Sequence, residues 1–76
     1  MQMRDRNGNV LNVNDPVFIC RNLRFGHVVG FRHGLTELNT RVIIDSGEKM
    51  LQMPVLFSVE PWEVEKIIVQ EKIENG

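Results

Sequence analysis

Apolar positions along this chain come in short alternating stretches, and they rarely recur at the three- or four-residue spacing of an amphipathic helix. After the polar segment "RNGN", whose Asn7-Gly8 pair tolerates positive φ and predicts a tight turn, the first apolar run is "VFICR". Pro16 lacks an N–H and suits only the edge or first position of a strand, so that strand is expected to start near Val17. "RNLRF" reads as a polar loop and "GHVVGFR" as a second strand, with Gly30 marking a bend or bulge. "HGLTELN" is a longer loop. In "TRVIID", Val42 and Ile44 share one face and Arg41 and Ile43 the other. "DSGEK" is expected to close a hairpin, with Gly47 in a left-handed position, and "MLQMPV" to return with Leu51, Met53 and Val55 on one face.

The last third has two readings. One is a short 3₁₀ turn at Pro61–Glu63 followed by a strand "VEKIIV". The other is a helix capped by Ser58 that carries Val64, Ile67 and Ile68 at helical spacing. The β-branched run Ile67-Ile68-Val69 favours the strand, because such side chains lose rotamer freedom in helices. Glu71 onward is expected to fray. Five short strands at intervals of roughly 8–12 residues predict an all-β fold. For so short a chain, a small five-stranded barrel over residues 1–70 with a polar tail at 71–76 is the economical arrangement, since closure removes exposed edges.

Length sharpens this picture. With 76 residues there is room for one domain. A chain this short buries only about 60% of its unfolded surface, so its core is thin and either marginal stability or association, for example as a homodimer, is expected. It encloses no substrate cavity, which argues against an enzyme. The single Cys20 cannot close an internal disulfide, and no C-x-x-C is present for zinc. With no apolar leader and no membrane-length apolar run, a cytoplasmic protein without a membrane partner is expected.

Charge changes the picture further. The total is −1, but residues 21–44 carry four arginines against Glu37, while residues 45–76 carry three lysines against seven acids. Within the basic middle, Arg21, Arg24, Phe25, His27, Arg32, His33 and Arg41 form the candidate binding surface. Arginine neutralises phosphate and aromatic or imidazole rings stack on unpaired bases, which is how single strands of RNA or DNA are held without a sequence code. Against that, at least one of Phe25 and Phe31 is expected in the core, because five strands share few large apolar residues. Trp62 is either a lid over one end of the barrel or an exposed anchor for a protein partner.

The segment "NDPVFICRNLRFGHVVGF" resembles the KOW motif of SH3-like barrels in ribosomal proteins and transcription elongation factors. Asp15 with Val17 and Ile19 matches the first strand, Arg21 to Phe25 the basic loop, and Gly26 with Val28 the second strand, all within residues 14–31. The resemblance implies a KOW- or Tudor-like barrel that contacts nucleic acid or a protein of the transcription or translation machinery. A near-neutral total makes a stand-alone regulator or inhibitor, docking on a larger protein assembly without nucleic acid, nearly as strong a reading.

Three other features point to ordinary structure. "VIIDSGE" resembles the catalytic loop of dimeric aspartic proteases, but Glu48 takes the small-residue position after Gly47 and Asp-Ser-Gly is common turn chemistry. His27 and His33 would stand about 20 Å apart on a straight strand, too far for one metal ion. Cys20, next to Ile19, is expected to be a small core residue. The expectation is a binding module with no catalytic residue, metal or cofactor.

Overall fold

A computed structural model describes residues 3–36 and 39–68. Within them, five antiparallel strands form one sheet: β1 (Pro16–Ile19), β2 (Arg24–Arg32), β3 (Arg41–Met50), β4 (Met53–Val59) and β5 (Val64–Lys66), with a 3₁₀ turn at Pro61–Glu63. The spatial order is β4-β3-β2-β1-β5. The all-β expectation and the 3₁₀ turn hold. Ser58, the alternative helix cap, lies inside β4, and Val64–Lys66 is strand. Val69 and the 71–76 tail lie outside the described residues.

Period-two alternation selects the inner face. Val17, Ile19, Val28, Val42, Ile44 and Val64 are fully buried there. Met3, Leu11 and Val59 complete the core, and Phe31 and Phe57 pack against it. Each such side chain contributes about 1.5–3 kcal/mol on burial. Phe31 is thus the ring that joins the core, whereas Phe25 is 66% exposed.

The expected barrel does not close. The order is compatible with a small barrel-like fold, but the outer strands β4 and β5 share no ladder and are joined only by the 3₁₀ turn. The free side of β5 is occupied instead by the N-terminal segment. Arg6 N–H donates to Val64 O at 3.0 Å, and Lys66 N–H donates to a carboxylate oxygen of Asp5 at 2.7 Å.

Asp5 organises that segment. The Asn7-Gly8 turn forms as expected, with Gly8 at φ 84° and an isolated bridge between Arg4 and Val10. The buried Asp5 carboxylate accepts backbone N–H groups from Asn7 at 2.9 Å, Asn9 at 2.8 Å and Lys66. Burial by itself would raise its pKa. The N–H donors of Lys66, Asn9 and Asn7 outweigh that and hold it below the ordinary value.

Register is broken twice. Between Val28 and Gly30 the β2–β3 ladder shifts by a bulge, as the glycine suggests. The two glycines of β2 nevertheless serve different ends. A Cβ on Gly26 would stand 2.6 Å from the Asp45 carbonyl oxygen and 2.6 Å from Ile44 Cγ2, whereas one on Gly30 meets nothing within 4 Å. Gly26 therefore permits close strand approach, and Gly30 marks the bulge.

The second break corrects the hairpin expectation. "DSGEK" is no hairpin end: between Asp45 and Lys49 the β3–β4 register slips, and β3 runs on to Met50. Gly47 sits at φ 83°, and its N–H donates to Asp45 Oδ1 at 2.8 Å, the geometry of an Asx turn inside a bulge. The reversal comes at Leu51 (φ 51°) and Gln52 (φ 66°). Consecutive positive φ angles are the signature of a type I′ turn, normally given to Asn-Gly.

Candidate functional site

The candidate residues separate into two groups on the folded chain. The first surrounds the 3₁₀ turn. Arg21, in the β1–β2 turn, places Nη1 3.9 Å from Glu63 Oε2, and Arg41, at the start of β3, places Nη1 2.7 Å from Glu60 Oε1. The carboxyl groups of Glu60 and Glu63 share a hydrogen bond. That bond, helped by Arg41 and Arg21, holds Glu60 below the usual carboxylate range. It pushes Glu63 above that range, as do partial burial and the charge of Glu60. Arg32 is the cross-strand partner of Arg41, and the exposed His33 follows it. Trp62 projects from the turn at 52% exposure while its neighbour Pro61 is buried, so the proline caps the core and the tryptophan does not.

The second group runs along β2. Arg24 pairs with Glu48 and lies over the Phe57 ring, 5.8 Å from its centroid. Phe25 tilts against Phe18 across the β1–β2 ladder, with ring centroids 4.9 Å apart. His27 stands between Pro16 and Asp45 on the outer face with Phe25, whereas Arg24 shares the parity of the buried Val28 and lies on the core side. Three of the four middle-segment arginines thus meet acids of the C-terminal third. The separation of charge along the chain is cancelled locally by folding.

Cys20 is half-buried, outside the core, and accepts a hydrogen bond from Arg6 Nη1 at 3.2 Å. Among the described residues, no group of three or more His, Cys, Asp and Glu side chains is placed to hold a metal ion. No helix among them is long and apolar enough to cross a membrane. A shallow groove between the N-terminal segment and β5 is lined by Asn12, Asp15, Lys66 and Ile67. Its charges are paired with each other, Lys66 Nζ to Asp15 Oδ2 at 3.2 Å.

Sequence reasoning missed the end of the β3–β4 hairpin. Met50, Leu51 and Met53 are 69%, 92% and 68% exposed there. "MLQM" reads as the start of a strand, because an apolar residue in the left-handed region leaves no compositional sign. The only available signal was the absence of glycine or asparagine where the chain must reverse. Comparison with protein-family models, with curated proteins and with solved structures finds no match to this chain.

Proposed function

We propose that the chain is a non-enzymatic binding module that docks on a larger protein through the end of the β3–β4 hairpin. One observation carries this reading: Leu51 is 92% exposed, between two exposed methionines, on a turn with two non-glycine residues at positive φ. An L-residue in that conformation costs roughly 1–2 kcal/mol, and a solvated leucine gives almost nothing back. Such a turn makes sense when the side chain is covered by something else. Unbranched methionines on either side suit an adaptable apolar contact.

The pairing of Arg21, Arg24 and Arg41 with acids supports a protein partner over a polyanion, since nucleic-acid affinity comes largely from phosphate neutralisation. The reading of the fold as a KOW- or Tudor-like module rests on residues 14–31. Val17, Ile19 and Val28 of that segment serve the core, and Gly26 serves strand approach. On this reading the partner is a protein of the transcription or translation machinery in the cytoplasm.

Affinity capture with the native chain and with a Met50→Ser, Leu51→Asn, Met53→Ser variant tests the proposal. The native chain is expected to retain a discrete protein that the folded variant loses. Retention of the same protein by both would overturn the assignment to the hairpin. Salt-sensitive binding of a single-stranded oligonucleotide, abolished by Arg32→Ala and unaffected by the hairpin substitutions, would replace it with the nucleic-acid reading.

A further inference from the structure

The two outer strands of the sheet are finished differently. β5 has its free side closed by Asp5 and Arg6. β4 pairs only with β3, and among the described residues no hydrogen bond outside that ladder reaches Met53–Val59.

Two observations identify the groups left open on β4. Pro54 is tolerated within a strand where its nitrogen faces away from the ladder, so residues of the same parity, Leu56 and Ser58, direct N–H and C=O outward. The core side of the sheet gives the same answer. Val28 N–H donates to Asp15 O at 3.0 Å and its carbonyl accepts from Asn14 N–H at 2.7 Å, so Val28 turns its backbone away from β3. Its partner Ile44 must then address Phe57 of β4, which leaves the alternate residues Leu56 and Ser58 facing out.

We infer that β4 is the self-association edge of this chain, pairing antiparallel with β4 of a second copy about a two-fold axis. With Leu56 opposite Ser58 of the second copy, and the reverse by symmetry, every outward group of the two residues gains a partner. The side chains allow it. "MPVLFSV" carries no charge, so self-pairing sets no like charges opposite one another, and no lysine or acid guards the edge. Leu56, 50% exposed, gains apolar cover from Leu56 of the copy, its diagonal neighbour across the axis.

The closed edge decides the stoichiometry. Head-to-tail pairing of β4 on β5 would propagate into a filament, but Asp5 and Arg6 already fill that site. Only the isologous contact remains, and it ends at two copies. The contact uses the side of the sheet at β4 and leaves the hairpin end at Leu51 free, so this inference stands apart from the proposed partner.

Sedimentation equilibrium from micromolar to near-millimolar concentration, together with amide hydrogen exchange at both extremes, tests it. The expected result is a dimer of twice the 8.8 kDa chain mass, with the Leu56 and Ser58 amides becoming protected as the dimer fills. Leu56→Lys and, separately, Ser58→Pro should weaken the dimer by about tenfold or more while circular dichroism shows the fold retained. The exchange measurement uses the native chain, so it stands even where a variant fails to fold. A monomer throughout with both amides exchanging freely overturns the inference, as does a dimer undiminished in the folded variants. A monomer in which both amides are protected also overturns it, by showing that the chain covers its own edge.

Discussion

Replacing the hairpin reversal Leu51-Gln52 with Asn-Gly should make the domain more stable while removing its proposed contact. Both native residues occupy the left-handed region, at φ 51° and 66°. Relieving two such residues returns roughly 2 kcal/mol, taking the lower figure for each. Two terms oppose it. Leu51 is 92% exposed, so the apolar burial lost is only about 0.2 kcal/mol. Glycine at position 52 adds freedom to the unfolded chain, which costs about 0.5–1 kcal/mol. The net gain is about 1 kcal/mol, a rise of about 4–8 °C in Tm for a domain of this size. Urea and thermal melts of the two chains, followed by far-UV circular dichroism, measure it directly. An unchanged or lowered midpoint would refute the reasoning, because it would mean that the turn is not left-handed or that Leu51 is packed within the chain. If stability rises and capture of the partner falls together, the hairpin end is kept for binding at the expense of the fold.

Two further substitutions probe the interior. Gly26→Ala should destabilise by about 1–3 kcal/mol, since its methyl would meet a backbone carbonyl that cannot move freely, whereas Gly30→Ala should stay within about 0.5 kcal/mol; equal effects in chemical denaturation would contradict the close-approach assignment. Asp5→Asn should cost about 2 kcal/mol at neutral pH by setting an amide N–H₂ against backbone donors. The folded Asp5 pKa lies below the ordinary 3.8, so its stabilisation is complete above that value and is lost as pH falls through the lower folded one. The gap between native and Asp5→Asn stability, followed by urea melts from pH 7 into this acid range, should be constant at first and then shrink; a constant gap throughout would dismiss the carboxylate as the cause.

Most of the strand pattern was legible because one face of each strand is buried. Val17 and Ile19, or Val42 and Ile44, can alternate only as strands over a single core, and Pro16 marked where the first begins. The reversal at Leu51-Gln52 was not legible, since Gly47 gave a stronger local turn signal and in fact serves a bulge. Closure was misjudged for a related reason. Edge protection was expected from barrel formation, whereas the chain protects β5 with the carboxylate of Asp5, a residue that composition counts only as a charge. Of the candidate site, the residue types were legible and the ion pairs of its arginines were not. Whether an arginine is free depends on acids distant in sequence, and Glu48, Glu60 and Glu63 reach back to Arg24, Arg41 and Arg21. Phe25 and Arg32 stay exposed, Arg32 with no acid partner among the described residues.

The bond from Lys66 N–H to Asp5 also sets an order of events. The two residues are 61 positions apart, and closing a loop of that length costs roughly 3–4 kcal/mol in chain entropy before any contact repays it. The neighbouring pairs β3–β4 and β2–β3 close far shorter loops and can form early. The N-terminal turn can close locally through the Asn7 and Asn9 N–H groups, but its carboxylate lacks the Lys66 donor, and Arg6 its acceptor on Val64, until the final strand arrives. During synthesis, the segment made first would therefore be among the last to become fixed, waiting on β5 to leave the ribosome.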